Sequence, residues 1–109
     1  MKFDLTAPCK NCPFRTDMPS QEGWLGYERA EAITEAILDM DGTFTCHKTT
    51  HLRDSEQQHC AGALIMCEAN DKPNQLMRIA ERVGFYDHTK LKKDSPVFTD
   101  PEDFAEWHR

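Results

Sequence analysis

The sequence predicts a small, mainly α-helical single domain, 1–109, with three main helices and cysteine-bearing loops organised around a metal or iron-sulfur site. Three observations carry that prediction. One hundred and nine residues hold one core and not two. Apolar residues recur at three- and four-residue steps in three separate stretches, with breakers between them. The core itself is thin: Leu, Ile, Val and Phe make up only 19 of 109 residues. That is below the composition at which a charged chain is suspected of disorder. Five cysteines are therefore the expected staple.

Residues 1–26 hold Pro8, Pro13, Pro19, Gly23 and Gly26, too many breakers for a long regular element. They are expected to form an irregular wrap that carries Cys9 and Cys12. From Tyr27 to Met40, Ala30, Ile33, Ile37 and Met40 mark one face of an amphipathic helix with acidic residues opposite, and Asp41-Gly42 ends it. Thr43-Phe44-Thr45 is β-prone but short, an extended segment that delivers Cys46. Thr49 to Gln58 is a polar loop. A second helix runs from Cys60, in its first turn, to about Ala69, with Cys60, Ala61, Leu64, Ile65 and Cys67 on one side. Asp71-Lys72-Pro73 reads as the start of a third helix, with Asp71 as cap and Leu76, Ile79, Ala80 and Val83 as its core stripe. Gly84 stops it. Asp100-Pro101 repeats the capping chemistry before a short terminal helix bearing Phe104 and Trp107.

Composition excludes several function classes. An odd number of cysteines does not suit a plain disulfide framework, and Met-Lys-Phe-Asp-Leu-Thr has no apolar export region, so a cytoplasmic protein is expected. No stretch is apolar enough to span a membrane. A net charge of -6 gives no support to binding a phosphate backbone.

In a reducing compartment, clustered cysteines are metal ligands or catalytic thiols more often than bridges. Cys9 and Cys12 form C-x-x-C, a spacing at which one turn of chain aims two sulfurs at one metal. Pro13 follows with no βαβ pattern, which disfavours a redox dithiol. No second C-x-x-C accompanies it, so a zinc finger is not indicated. One pair, a Cys-Pro dipeptide and the single Cys46 and Cys60 are closer to iron-sulfur ligation, a [4Fe-4S] cluster, with zinc as the alternative. Cys67, two turns beyond Cys60, reads as core. His47 adjoins Cys46 on an extended segment, where neighbouring side chains point oppositely, so it reads as a residue beside the site and not a ligand. Arg15 and Lys48 flank the ligands as well. With Lys10 and Arg53 they offset the negative charge of a thiolate site, and Arg15 or Lys48 could further line an anion pocket. His51, His59, His88 and His108 read as surface histidines. Trp24, Tyr27 and Trp107 read first as packing aromatics.

Taken together, Pro8-Cys9-Lys10-Asn11-Cys12-Pro13-Phe14-Arg15, Phe44-Thr45-Cys46-His47 and Cys60-Ala61-Gly62 resemble a small uncharacterised family of bacteriophage and bacterial proteins. That family has a C-x-x-C-P-[FW]-R opening, a later Cys-His and a Cys-Ala-Gly, and Trp24-Leu25 ahead of the first helix also agrees. The resemblance spans residues 8–67. It implies Cys9, Cys12, Cys46 and Cys60 as the shared metal-binding set, leaves Cys67 outside it, and implies host cytoplasm for a phage-encoded member. It implies no activity, and nothing for the helical part, 70–109. Three functions remain open: an iron-sulfur protein with a redox or catalytic role on an unidentified substrate; a zinc- or cluster-stapled phage accessory module that binds a host protein; and a redox sensor acting through cluster loss or Cys67. Nothing in the chain matches a nucleotide-binding glycine loop or the cysteine spacing of radical enzymes that use S-adenosylmethionine.

Overall fold

In the computed structural model, which describes residues 1–109, the first helix forms where the three-four periodicity places it: α1, Tyr27–Asp39, buries Ala30, Thr34 and Ile37. Met40, at its end, is exposed. The stop is made by Asp41 in the left-handed region (φ 55) and by the Gly42 amide, which donates to Ala36 O at 2.7 Å. A Cβ on Gly42 would lie 2.9 Å from that same oxygen, so the turn requires glycine for its close approach.

Helix α2, Ala61–Ala69, is the centre of the molecule. Every residue from Ala61 to Cys67 is buried, not one side alone, which is why an apolar run and not an amphipathic one encodes it. Cys60 stands just before it as the capping residue. At the other end Asp71 again takes positive φ (55), and Lys72 N donates to Cys67 O. Asp71 thus closes α2 instead of opening the next helix.

Helix α3, Gln75–Arg82, starts later than expected because Asn74 is its cap, accepting from Met77 N at 2.9 Å. Asn74 Nδ2 also donates to Gly42 O. Fixed by that anchor, α3 turns Met77 and Ala80 inward. The expected stripe is therefore corrected: Leu76, Ile79 and Val83 are 37%, 50% and 58% exposed, and Phe85 beyond Gly84 is 76% exposed. Helix α4, Pro101–Trp107, has the predicted cap, Asp100 accepting from Glu102 N, and buries Phe104 and Ala105.

The fold is thus mainly helical, with four helices. Helix α1 lies against α4 and α2. Extended chain occurs only as isolated bridges, Lys2 with Gln58, Thr45 with His59 and Arg15 with Val97. No helix is long and apolar enough to cross a membrane.

Candidate metal centre

Two short pieces of backbone pairing assemble the four cysteines. The first is a double turn: Cys12 N donates to Cys9 O, and Arg15 N to Cys12 O. Pro13 and Phe14, both buried, fix this loop to the core. Phe14 stacks on Phe104 with centroids 4.4 Å apart and meets Phe44 edge-on. The second is the Thr45–His59 bridge, in which Cys46 N donates to Gln58 O and Cys60 N to Phe44 O. It carries Cys46 and Cys60 to the same place from opposite ends of the polar loop.

The sulfurs meet there. Cys12 and Cys60 Sγ are 3.6 Å apart, and the Cys9 thiol lies beside those of Cys12 and Cys46. All are free thiols; Cys12, Cys46 and Cys60 are buried and Cys9 partly so. Proximity to Cys12, then burial, pushes the Cys9 thiol up to about 12. Cys60 raises Cys12 in the same way, and burial raises Cys46. Acting against these effects, the backbone N–H groups of Asn11, Phe14 and Lys48 favour the thiolates of Cys9, Cys12 and Cys46. Each donor is the residue two positions after its cysteine. The donor set therefore suits a thiophilic cation: it would replace the protons that crowded thiols otherwise keep, while the amides already point at the sulfurs.

Glycine 62 is what lets the helix approach the loop. A Cβ there would lie 2.7 Å from Phe14 Cβ and 2.9 Å from Cys12 Sγ.

His47 does not point away from the site as an extended segment would require. The chain turns at Cys46, with Thr49 N donating to Cys46 O, and His47 Nε2 comes to 3.3 Å from Cys9 Sγ. Arg15 makes a two-pronged pair with Asp17, Nε to Oδ1 at 2.8 Å and Nη2 to Oδ2 at 3.0 Å, and donates from Nη1 to Cys9 O. Its charge is already matched, so it braces the loop and does not present a free anion site. Lys48 contributes its amide to Cys46 and leaves its side chain exposed. Cys67 lies apart from the four, fully buried, with its thiol donating to Ile37 O. Burial pushes that thiol up to about 12, which makes it unreactive.

Two histidines expected at the surface are buried instead. His59 donates from Nδ1 to Cys60 O at 3.1 Å, and its Nε2 faces Phe44 N and Asn74 Nδ2 at 3.5 and 3.4 Å. It stacks on Phe3, and burial pulls its pKa down to about 4, so it is neutral. It holds both cysteine segments of the bridge. His108 donates from Nε2 to Pro13 O at 3.0 Å and accepts from Leu25 N on Nδ1. The C-terminal helix thus braces the C-x-x-C loop. Adjacency to Cys60 is a sequence signal for His59. His108 has none, since its partner lies 95 residues away.

No curated protein and no solved structure matches the chain. A family match does exist, and it extends well beyond residues 8–67 into the C-terminal helix that buttresses the cysteine loop. Over residues 5–108 the chain belongs to a family of unknown function, DUF6283.

Proposed function

We propose that Cys9, Cys12, Cys46 and Cys60 hold an iron-sulfur cluster, of the [4Fe-4S] type, in a protein with a redox or catalytic role at the edge formed by Cys9 and His47. The observation that carries this reading is the meeting of four thiols from three chain segments, three of them with the amide of the second following residue favouring the thiolate. A bound cluster would supply one-electron chemistry, its potential set by hydrogen bonds to sulfur and by exposure. His47 would donate to the Cys9 sulfur, Arg15 would hold the Cys9 carbonyl, and His59 would keep Cys46 and Cys60 in register. Burial of the other three cysteines leaves Cys9 as the side open to a substrate.

A second reading, a zinc-stapled module that docks on a host protein, has two observations in its favour. The 3.6 Å between Cys12 and Cys60 is close to the roughly 3.8 Å edge of a tetrahedron with ~2.3 Å zinc–sulfur bonds. The exposed Leu76, Ile79, Val83 and Phe85 would suit a protein partner. Anaerobic purification with iron, sulfide and zinc analysis separates the two. About four irons and four sulfides per chain, with visible absorbance, are expected. One zinc and no sulfide would move the assignment to the second reading, and an anaerobically prepared chain without metal would overturn both.

A further inference from the structure

The Thr45–His59 bridge and the parallel Lys2–Gln58 bridge share the segment 58–59, so three short extended pieces lie side by side, with 44–46 at one margin and the first residues of the chain at the other. Lys2 N donates to Gln57 O at 2.7 Å, and Lys2 O accepts from His59 N at 2.9 Å. Asp4 faces the same side: its N–H donates to Gln58 Oε1 at 3.0 Å, and its Oδ2 accepts from Gln58 Nε2. Main-chain groups alternate in direction along extended chain, so those of Phe3 and Leu5 face away from Gln58, and neither residue has a backbone partner. They form an open edge.

The edge has open space beside it. Lys2 and Asp4 are exposed, and Met1 and Leu5 are half-buried. Phe3 has its ring stacked on His59 and tilted against Tyr86, and the residue still borders two open cavities. One, of about 390 Å³, is shared with Met1, Lys2, Asp4 and Phe85; the other, of about 300 Å³, lies between residues 3–6 and 84–91. Phe85 borders both and is 76% exposed. Unpaired edges accept further strands, and proteins commonly guard them with a charge such as that of Lys2. Here the guard meets its own counter-charge. In an antiparallel pairing with a second copy centred on Phe3, Lys2 stands opposite the partner's Asp4, and Asp4 opposite the partner's Lys2. The parity agrees as well. That register makes hydrogen-bonded pairs of Phe3 with the partner's Phe3 and of Leu5 with the partner's Met1, using the outward-facing groups. Lys2 and the partner's Asp4 then form a non-hydrogen-bonded pair, in which side chains come closest. Within its own chain neither Lys2 nor Asp4 has an ion pair.

We propose that this edge is an interface between two copies of the chain, paired antiparallel about Phe3, with Lys2 set against Asp4 twice over and the two Phe85 rings covered at the joint. The pairing does not depend on which metal the centre holds. Because the joint is short and each copy carries a net charge of -6, the dimer is a weak one.

Sedimentation equilibrium of the full chain, prepared anaerobically and without an N-terminal tag, is expected to show a dimer with a Kd of roughly 10 µM to 1 mM that weakens as salt is raised. Lys2→Asp and Asp4→Lys should each weaken it by about tenfold or more, since each sets like charges opposite one another at two places. The double exchange should return the Kd to within about threefold of the native value, with unchanged metal content and circular dichroism. Phe85→Ser should weaken the dimer too. Amide exchange followed by NMR needs no variant and decides alone where a variant loses its fold. Raising the chain concentration should protect the amides of Phe3 and Leu5 and leave that of Lys2, already bonded within the chain, unchanged. A chain still monomeric at about 1 mM would overturn the proposal. So would a dimer indifferent to Lys2→Asp, a folded double exchange that fails to restore pairing, or protection that falls on α3 and not on Phe3 and Leu5.

Discussion

Replacing Gly62 by alanine sets two effects of opposite sign against each other. Gly62 lies inside α2, where alanine is the better helix former by about 0.8–1.0 kcal/mol, so local propensity alone makes Gly62→Ala stabilising. The tertiary environment says otherwise. The new Cβ would lie 2.7 Å from Phe14 Cβ, 3.2 Å from Phe14 Cγ and 2.9 Å from Cys12 Sγ. Phe14 is fully buried between Phe104 and Phe44, and its Cβ is tied to backbone that pairs with residues 96–98, so it has little room to retreat. Overpacking of this kind costs roughly 1–3 kcal/mol, and two contacts under 3.0 Å place it in the upper half of that range, about 2–3 kcal/mol, which leaves a net loss of about 1–2 kcal/mol after the helix gain. For a chain of this length that is a fall of roughly 4–15 °C in Tm. Denaturant unfolding at equal metal loading measures it, as a lower midpoint at unchanged slope. Metal content should fall as well, because the atom displaced with Phe14 is the Cys12 sulfur. A variant more stable than the native chain would refute the reasoning, since it would mean that helix α2 and the cysteine loop are farther apart than described.

Three further outcomes are expected. Cys→Ser changes at 9, 12, 46 and 60 should each lower bound metal and solubility, whereas Cys67→Ser should retain metal; the reverse pattern in metal analysis would identify a different ligand set. His59 has its pKa pulled from 6.5 down to about 4 by burial, so the unfolded chain takes up a proton that the folded chain refuses. Its contribution is whole above pH 6.5 and is lost as pH falls towards 4, on the order of 3 kcal/mol, so the stability–pH slope in that window should flatten in His59→Gln. An unchanged slope would show that another group governs it. His108→Ala should cost about 1–3 kcal/mol by stripping partners from Pro13 O and Leu25 N, and should loosen Cys9 and Cys12 towards thiol-labelling reagents; labelling at the native rate would remove His108 from the support of the loop.

Local chemistry made much of the fold legible in the sequence. The spacing of Ala30, Ile33 and Ile37 marks α1, Asp100-Pro101 starts α4, and Gly84 in positive φ ends the third helical segment, because each depends on neighbours within one or two turns. Even so, local signals misled where two elements competed for one residue. Asp71 carries the side chain of a cap but closes α2, and Asn74 caps α3 because its amide also reaches Gly42 O across the fold. That single anchor sets the rotation of α3 and leaves Leu76, Ile79 and Val83 at the surface, although their periodicity is that of a core face.

The candidate site divides along the same line. The sequence by itself determined which residues are chemically able to form it, since thiols in C-x-x-C and beside Cys-His and Cys-Ala-Gly are visible one motif at a time. Only the tertiary structure decided that the four sulfurs share one place, that His47 turns towards Cys9, that Gly62 is the gap through which α2 reaches Cys12, and that His59 and His108 are buried braces. The physical reason is separation along the chain. Each of these depends on which distant backbone atom lies opposite once α1, α2 and α4 have packed, as when His108 meets Pro13, and hydrogen bonding and packing are blind to sequence distance in a way that periodicity and spacing are not.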